Sequence, residues 1–453
     1  MIFKLKPILF ISGLLLLGII PITGFTQEDG NGFSLKQAQD YALKNNYQGL
    51  NTQRDIESAR KKVWETTAIG LPQVSVEAQF QNFIKLPTSL IPATAFNPNA
   101  AEDEYAELQF GTDYNTTASI SATQLLFDGS YIVGLQAAKT YKELSVNNKK
   151  KTDQEIKDAV AKAYNTVLVA QENQKVLEQS YQSTETLFNE TKAMFDAGLT
   201  EEQNADQLQL NLTNLKNSVT QATRQVEIAK NLLKFQMGMD ISQPIELTDK
   251  LDQLIENEDM STFMNQQLDV SNHVEYQLIQ TNEKLMKLNF RKEKYAFAPS
   301  IAAFFNHQEQ NMSNNFDAFS GGKWYPSTLW GISVKIPLIS SGMRLSKMGQ
   351  AKLEYEKAVT TSKQVEQSLM LKAQNAQSDF NTAYDLYNNQ KESLKLAKSI
   401  HNKTIKKYGE GVVSSMELTQ SQAQMLSTEG MYIKSILDLL NAKSTLKRSL
   451  GIE

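Results

Sequence analysis

The residues best suited to chemistry are few and scattered. The chain has three histidines, His273, His307 and His401, and no cysteine. There is no H-E-x-x-H pair for zinc, no P-loop, no G-x-G-x-x-G and no G-x-S-x-G nucleophile turn. No catalytic, cofactor-binding or metal-ligating set can therefore be assembled, and His401 reads as a packing residue. What does recur is a polar motif. Tyr408-Gly-Glu-Gly411-Val412-Val-Ser414-Ser-Met-Glu417-Leu418-Thr-Gln420-Ser421-Gln422 has a counterpart in Phe195-Asp-Ala-Gly198-Leu-Thr200-Glu201-Glu-Gln-Asn204-Ala205-Asp-Gln-Leu208-Gln209.

These two segments are 213 residues apart, as Gly198 and Gly411 show. Leu233-Lys234 to Asp240 matches Leu446-Lys447 to Glu453 at the same offset. Leu71-Pro72-Gln73-Val74 resembles Ala298-Pro299-Ser300-Ile301 at an offset of 227, so the first copy carries a longer insertion, the Pro- and Asn-rich segment 84–110. A chain of two similar halves is the expectation. The reading is a signal peptide over 1–26, a first repeat over 27–255 and a second over 256–453. Strands are expected at about 71–83, 111–127, 299–308 and 327–338. Long helices are expected at about 130–196, 201–237, 343–407 and 414–450.

The helices are predicted by their period. Ile156, Val160, Ala163, Val167, Ala170, Gln174, Leu177, Tyr181, Thr184 and Phe188 step by four and three, and Leu369 to Tyr408 repeats the pattern. That 3.5-residue spacing marks a coiled-coil seam. Many seam residues are alanine, which lets helices approach closely. A helix from Ser130 to Phe195 would be about 100 Å long. Gly198 and Gly411 suit the left-handed turn that ends such a helix, and Thr200 and Ser414 are placed to cap the helix that follows.

The strands alternate. Val74, Val76, Ala78 and Phe80 interleave with Gln73, Ser75, Glu77, Gln79 and Gln81, and Tyr114 to Thr123 behaves likewise. Thr328 to Ile336 shows a similar order, while Ser300 to Gln308 is less regular. A soluble half-buried sheet alternates too, but the length and dyad pattern also fit membrane strands. In lipid the sheet must close, and four strands cannot, since single-chain barrels start at about eight. Three chains would supply 12. Trp324, Tyr325 and Trp330 are candidates for an interfacial girdle, with 84–110 and 309–323 as external loops.

The N-terminus reads as a secretory signal. Lys4 and Lys6 precede an apolar run from Ile8 to Ile20, interrupted by Ser12 and Gly13. Its 13 residues fall short of the roughly 18 to 20 that a spanning helix needs. Cleavage near Thr26 would change the net charge from −4 to −6 by removing those two lysines. The mean hydropathy of −0.40 excludes a bundle of membrane helices. Lys and Arg are dispersed, so nothing points to nucleic acid.

At the helix-tip motif the chain resembles the TolC family of outer-membrane efflux proteins. Tyr408, Gly411, Ser414, Glu417, Leu418, Ser421 and Gln422 carry the family's aromatic-x-x-Gly-x-x-Ser/Thr-x-x-acidic-Leu/Val-x-x-small-Gln pattern; the first copy departs from it at Glu201 and Asn204. The opening segment Ser34 to Asn46 and the turn Leu125-Leu126-Phe127-Asp128-Gly129 are also similar to family members. The resemblance implies a mainly α fold with a small β part: a periplasmic α-barrel of antiparallel coiled-coil helices below a 12-stranded β-barrel in the outer membrane, completed in a homotrimer. It implies passive export with a periplasmic adaptor (membrane fusion) protein and an inner-membrane pump of the RND, ABC or MFS type. Contact with outer-membrane lipid follows. Glu417 matches the first acidic ring position of the pore constriction, and Gln420 stands where a second acid is usual, so the ring would carry three charges. Tyr408 is implied in holding the tip shut. Adaptor docking is implied at Phe195, Gly198, Thr200, Gly411, Val412 and Ser414. The alternative for Glu417 is a solvated carboxylate, and for Tyr408 a plain seam position.

A periplasmic coiled-coil scaffold or adaptor without a pore would share the heptads and the signal. It would leave the two strand–loop–strand inserts and the duplication without purpose. A periplasmic enzyme on a helical solenoid lacks a candidate site.

Overall fold

A computed structural model describes residues 32–251, 268–317 and 321–452. The expected signal peptide and the expected repeat boundary at 255/256 lie outside these residues.

The first half runs β1 (Gly32–Phe33), α1 (Leu35–Asn45), α2 (Tyr47–Ala68), β2 (Gln73–Asn82), β3 (Thr88–Pro92), β4 (Tyr105–Gln109), β5 (Tyr114–Asp128), α3 (Gly129–Asp196), α4 (Glu202–Met237) and β6 (Glu246–Leu247). The second runs α5 (Val274–Tyr295), β7 (Ser300–Ser313), β8 (Trp324–Lys335), α6 (Met343–Gly409) and α7 (Ser415–Leu450). The fold is mainly helical, with a small sheet part.

Two helices dominate. α3 has 68 residues and α6 has 67, so each is about 100 Å long. α3 pairs with α4 and α6 with α7, each as an antiparallel hairpin. The expected seam is what they bury: Ile156, Val160, Ala163 and Val167 on α3, Leu212, Leu215, Ala222 and Val226 on α4, and Leu369, Ala373, Phe380 and Ala383 on α6. The main core lies where α1, α3, α4, α6 and α7 meet, around the fully buried Tyr164, Leu233, Met237 and Leu439. Tyr164 donates its hydroxyl to Phe33 O at 2.8 Å and lies 3.0 Å from Asp249 Oδ2. It thus ties α3 to the chain beside β1 and β6, which pair in parallel. Asn46 interrupts the opening helix, ending α1 and capping α2 by accepting from Gln48 N and Gly49 N.

The larger sheet has the order β2-β5-β7-β8 and is antiparallel throughout. Its register places Val74, Val76 and Phe80 beside Ala122, Ile120 and Thr116 on one face, and Gln73, Ser75 and Glu77 beside Thr123, Ser121 and Ser119 on the other. The apolar face is uncovered: Val76 is 75% exposed and Trp330 78%.

Several strand limits differ from the sequence expectation. β7 continues five residues past Gln308, to Ser313, because β5 offers partners as far as Tyr114 and backbone pairing does not require apolar side chains. β8 starts earlier, at Trp324, and passes through Pro326; proline is tolerated because β8 is an edge strand. β8 also ends at Lys335 rather than 338, because its ladder stops opposite Ser300, the first residue of β7. The segment 84–110 contains the β3–β4 hairpin, and part of the expected loop 309–323 is strand. Tyr325 pairs beside Gln310 on the polar side of the sheet, where Lys323 lies over its ring, so it is not part of an apolar-face girdle with Trp324 and Trp330.

Candidate gate and docking surface at the helix tips

The far ends of the two hairpins lie side by side. Each long helix closes with the same hydrogen bonds: Leu199 N donates to Met194 O and Val412 N to Lys407 O, at 2.8 and 2.9 Å. Gly198 and Gly411 both take φ of +73°, the left-handed turn that a Cβ would strain. The turns expose Phe195, Leu199, Val412 and Met416, an apolar cluster at the extremity.

Capping differs between the tips. Ser414 is the N-cap of α7 and accepts from Glu417 N at 3.3 Å. Thr200 does not cap α4, contrary to the sequence expectation. Glu201 holds that position and makes no side-chain cap bond, while the Thr200 hydroxyl accepts from Asn204 Nδ2 at 3.0 Å. The reason is register: at the 213-residue offset Ser414 corresponds to Glu201, not Thr200.

Tyr408 is half-buried, and its hydroxyl lies 2.9 Å from Thr191 Oγ1, which is 2% exposed. It therefore joins the end of α6 to the end of α3. Glu417 and Gln420 are exposed on the first turns of α7.

The sequence reading does not single out the polar joint behind them. Gln422 on α7 is 6% exposed. It donates Nε2 to Ser180 Oγ and Thr184 Oγ1, both at 2.7 Å, and accepts from Asn211 Nδ2 at 2.8 Å. Ser415 Oγ lies 2.7 Å from Asn204 Oδ1 and 3.1 Å from Gln207 Oε1. α7 thus sits in the groove between α3 and α4, held by amide–hydroxyl bonds sheltered from water. The available signals are Thr184 on a mostly apolar seam and Asn204 as a departure from the tip motif. His401 is buried beside them, with Nδ1 3.0 Å from Ser421 Oγ, and burial lowers its pKa. Among the described residues, no three His, Asp or Glu side chains are grouped to hold a metal ion. No helix among them is long and apolar enough to cross a membrane.

Comparison with known proteins decides the family. The model of the outer membrane efflux protein family matches residues 39–239 and 280–452, most of the chain.

The chain belongs to the outer membrane efflux protein family.

This efflux-family chain is accordingly an outer-membrane protein that extends into the periplasm. A search of curated proteins returned no match. Solved structures share the fold. CusC, described as forming a transmembrane channel, superposes with a TM-score of 0.71 at 14% identity, covering 93% of this chain and 92% of that one. The open-state MtrE outer membrane channel of Neisseria gonorrhoeae gives 0.70 at 18% identity, covering 92% and 89%. The CmeC outer membrane channel of Campylobacter jejuni gives 0.68 at 17% identity, covering 92% and 85%.

Proposed function

We propose that three copies of this chain form a passive exit duct through the outer membrane, shut at its periplasmic end by the helix tips. The observation that carries the reading is the open sheet. β2 and β8 are its edges, unpaired among the described residues, and one face of the sheet is mainly apolar and uncovered, with the paired His307 and Glu309 of β7 as its charged exception. In lipid an unpaired edge is costly for every residue, so the strands must be completed by other copies: β8 of one against β2 of the next, giving about 12 strands in all. The polar face then lines water.

The two hairpins of each copy form one segment of a helical ring beneath the barrel. Tyr408, bonded to Thr191, helps hold those hairpins together, and Glu417 with Gln420 stands at the constriction. The exposed apolar turns around Phe195, Gly198, Thr200, Gly411, Val412 and Ser414 are the docking surface for a periplasmic adaptor, and docking splays the tips. Energy comes from an inner-membrane pump of the RND, ABC or MFS type. The two successive repeats are coordinate halves of this ring and divide the chain near 255/256.

The test is reconstitution. Detergent-purified protein should have the mass of a trimer and give discrete conductance steps in a planar lipid bilayer. A monomer that never conducts would overturn the proposal.

A further inference from the structure

Midway along α3 a trench opens between the first turns of α1 and the last turns of α7, with a volume of about 670 Å³. That is the size of a site for a small organic ligand. Lys157, Asp158, Ala161 and Asn165 lie along it at three- and four-residue steps, one face of α3. Ala161 is the smallest of these, and leaves the middle open.

The walls are tied to one another. Gln39 of α1 donates Nε2 to Lys157 O at 3.0 Å. Leu35 N donates to Asp249 Oδ2 at 2.8 Å. Asp158 accepts from Ser444 Oγ at 2.7 Å and from Arg448 Nη1 at 2.9 Å, which joins α3 to α7 and fixes the guanidinium. The trench is therefore built by the fold and needs no ligand to form.

Two observations give the chemistry of what fits. Asn165 is 4% exposed, and its Oδ1 has no hydrogen-bond partner among the described residues. A buried acceptor left unpaired is costly, so an N–H brought by a ligand is favoured there. The second observation is charge. Lys36, Lys157, Lys443, Lys447 and Arg448 line the trench with Asp40, Asp158 and Asp249, five cations against three carboxylates. Asp158 and Asn165 are seven residues apart, about 10 Å along the helix. A matching ligand donates an N–H at one end and carries carboxylates about 10 Å away, the length of about three extended residues.

The duplicated half shows that this polarity is not a condition of folding. At the 213-residue offset Lys157, Asp158 and Arg448 become Met370, Leu371 and Phe235. The same hairpin unit is thus made with apolar groups at those places.

We propose that the trench binds a short acidic peptide, with a peptide N–H on Asn165 Oδ1 and its carboxylates among Lys36, Lys157 and Arg448. The walls all belong to one chain, so the site is independent of how copies assemble.

Titration calorimetry on full-length, detergent-purified protein tests this with the tripeptide Ala-Glu-Glu. One peptide should bind per chain, with a Kd below about 1 mM. Ala-Gln-Gln lacks the carboxylate side chains and inorganic phosphate lacks the N–H, so each should bind about ten-fold more weakly or worse. Lys36→Glu with Lys157→Glu should weaken Ala-Glu-Glu by about ten-fold or more, and Asn165→Leu by about ten-fold. Thermal melting followed by circular dichroism separates a lost contact from a lost fold. If Asn165→Leu melts early, the lysine pair decides. The proposal is overturned if Ala-Glu-Glu does not bind the folded protein at millimolar concentration. It is equally overturned if phosphate binds as tightly as the peptide, or if the lysine pair leaves the affinity unchanged.

Discussion

Gln422→Ala removes the central bolt of the tip. The side chain is buried and makes three hydrogen bonds, to Ser180, Thr184 and Asn211, all at 2.7–2.8 Å. Each such bond contributes about 1 kcal/mol net, and a buried partner left unpaired costs at least as much. Ser180 and Thr184 are 7% and 0% exposed, so water cannot readily replace the lost amide. The loss should be about 3 kcal/mol, all in the contact of α7 with the α3–α4 groove. Global unfolding would dilute that signal, because most of the helical core lies elsewhere. Amide hydrogen exchange resolves it. Protection from Leu418 to Thr428 on α7 should fall by roughly a hundred-fold, with little change around Tyr164 and Leu233. A fall of less than three-fold at the tip, or one spread evenly along the chain, would mean that Gln422 does not hold α7 in the α3–α4 groove. A cycle with Ser180→Ala should show coupling, because the two residues share one bond.

Tyr408→Phe should keep the fold and loosen the α3–α6 link to Thr191 by about 1 kcal/mol; exchange near residues 188–195 and 401–408 should rise about five-fold. Ser414→Ala should fray the start of α7 at a cost of about 1 kcal/mol, whereas Thr200→Ala should spare α4's cap, and exchange at the first turns separates the two. Two pH slopes are expected. Burial raises the Tyr164 phenol well above its ordinary value, so its contribution is complete below roughly pH 10 and is lost as pH rises beyond it; Tyr164→Phe should flatten the alkaline fall in melting temperature. Burial lowers His401 and, with other contributions, His273, so their contributions hold above roughly pH 6.5 and are lost as pH falls through their depressed values; His401→Gln should reduce the acid slope.

Much of the architecture is legible in sequence because it is periodic. The 3.5-residue seam from Ile156 to Ala170 places the buried side of α3 without reference to its partner, whereas farther along Gln174, Leu177, Tyr181 and Phe188 are only half-buried and Ser180, Thr184 and Thr191 are enclosed instead. The alternation from Gln73 to Gln81 separates the two faces of β2 in the same way. The tip motif and the 213-residue offset identify the duplicated unit, and with it the family resemblance. Limits set by a partner are less visible. β7 reaches Ser313 because of where β5 begins, which no property of residues 309–313 announces.

Two matched hairpins and four strands, three of them regularly alternating, follow from residue order alone, because helix and strand periods are local and survive translation along the chain. Which member of each matched pair is buried emerges only on folding. Gln209 and Gln422 occupy equivalent positions, yet Gln422 is enclosed by Ser180, Thr184 and Asn211 while Gln209 is exposed. Burial depends on a neighbouring surface more than 200 residues away, and each half of the chain meets a different neighbour.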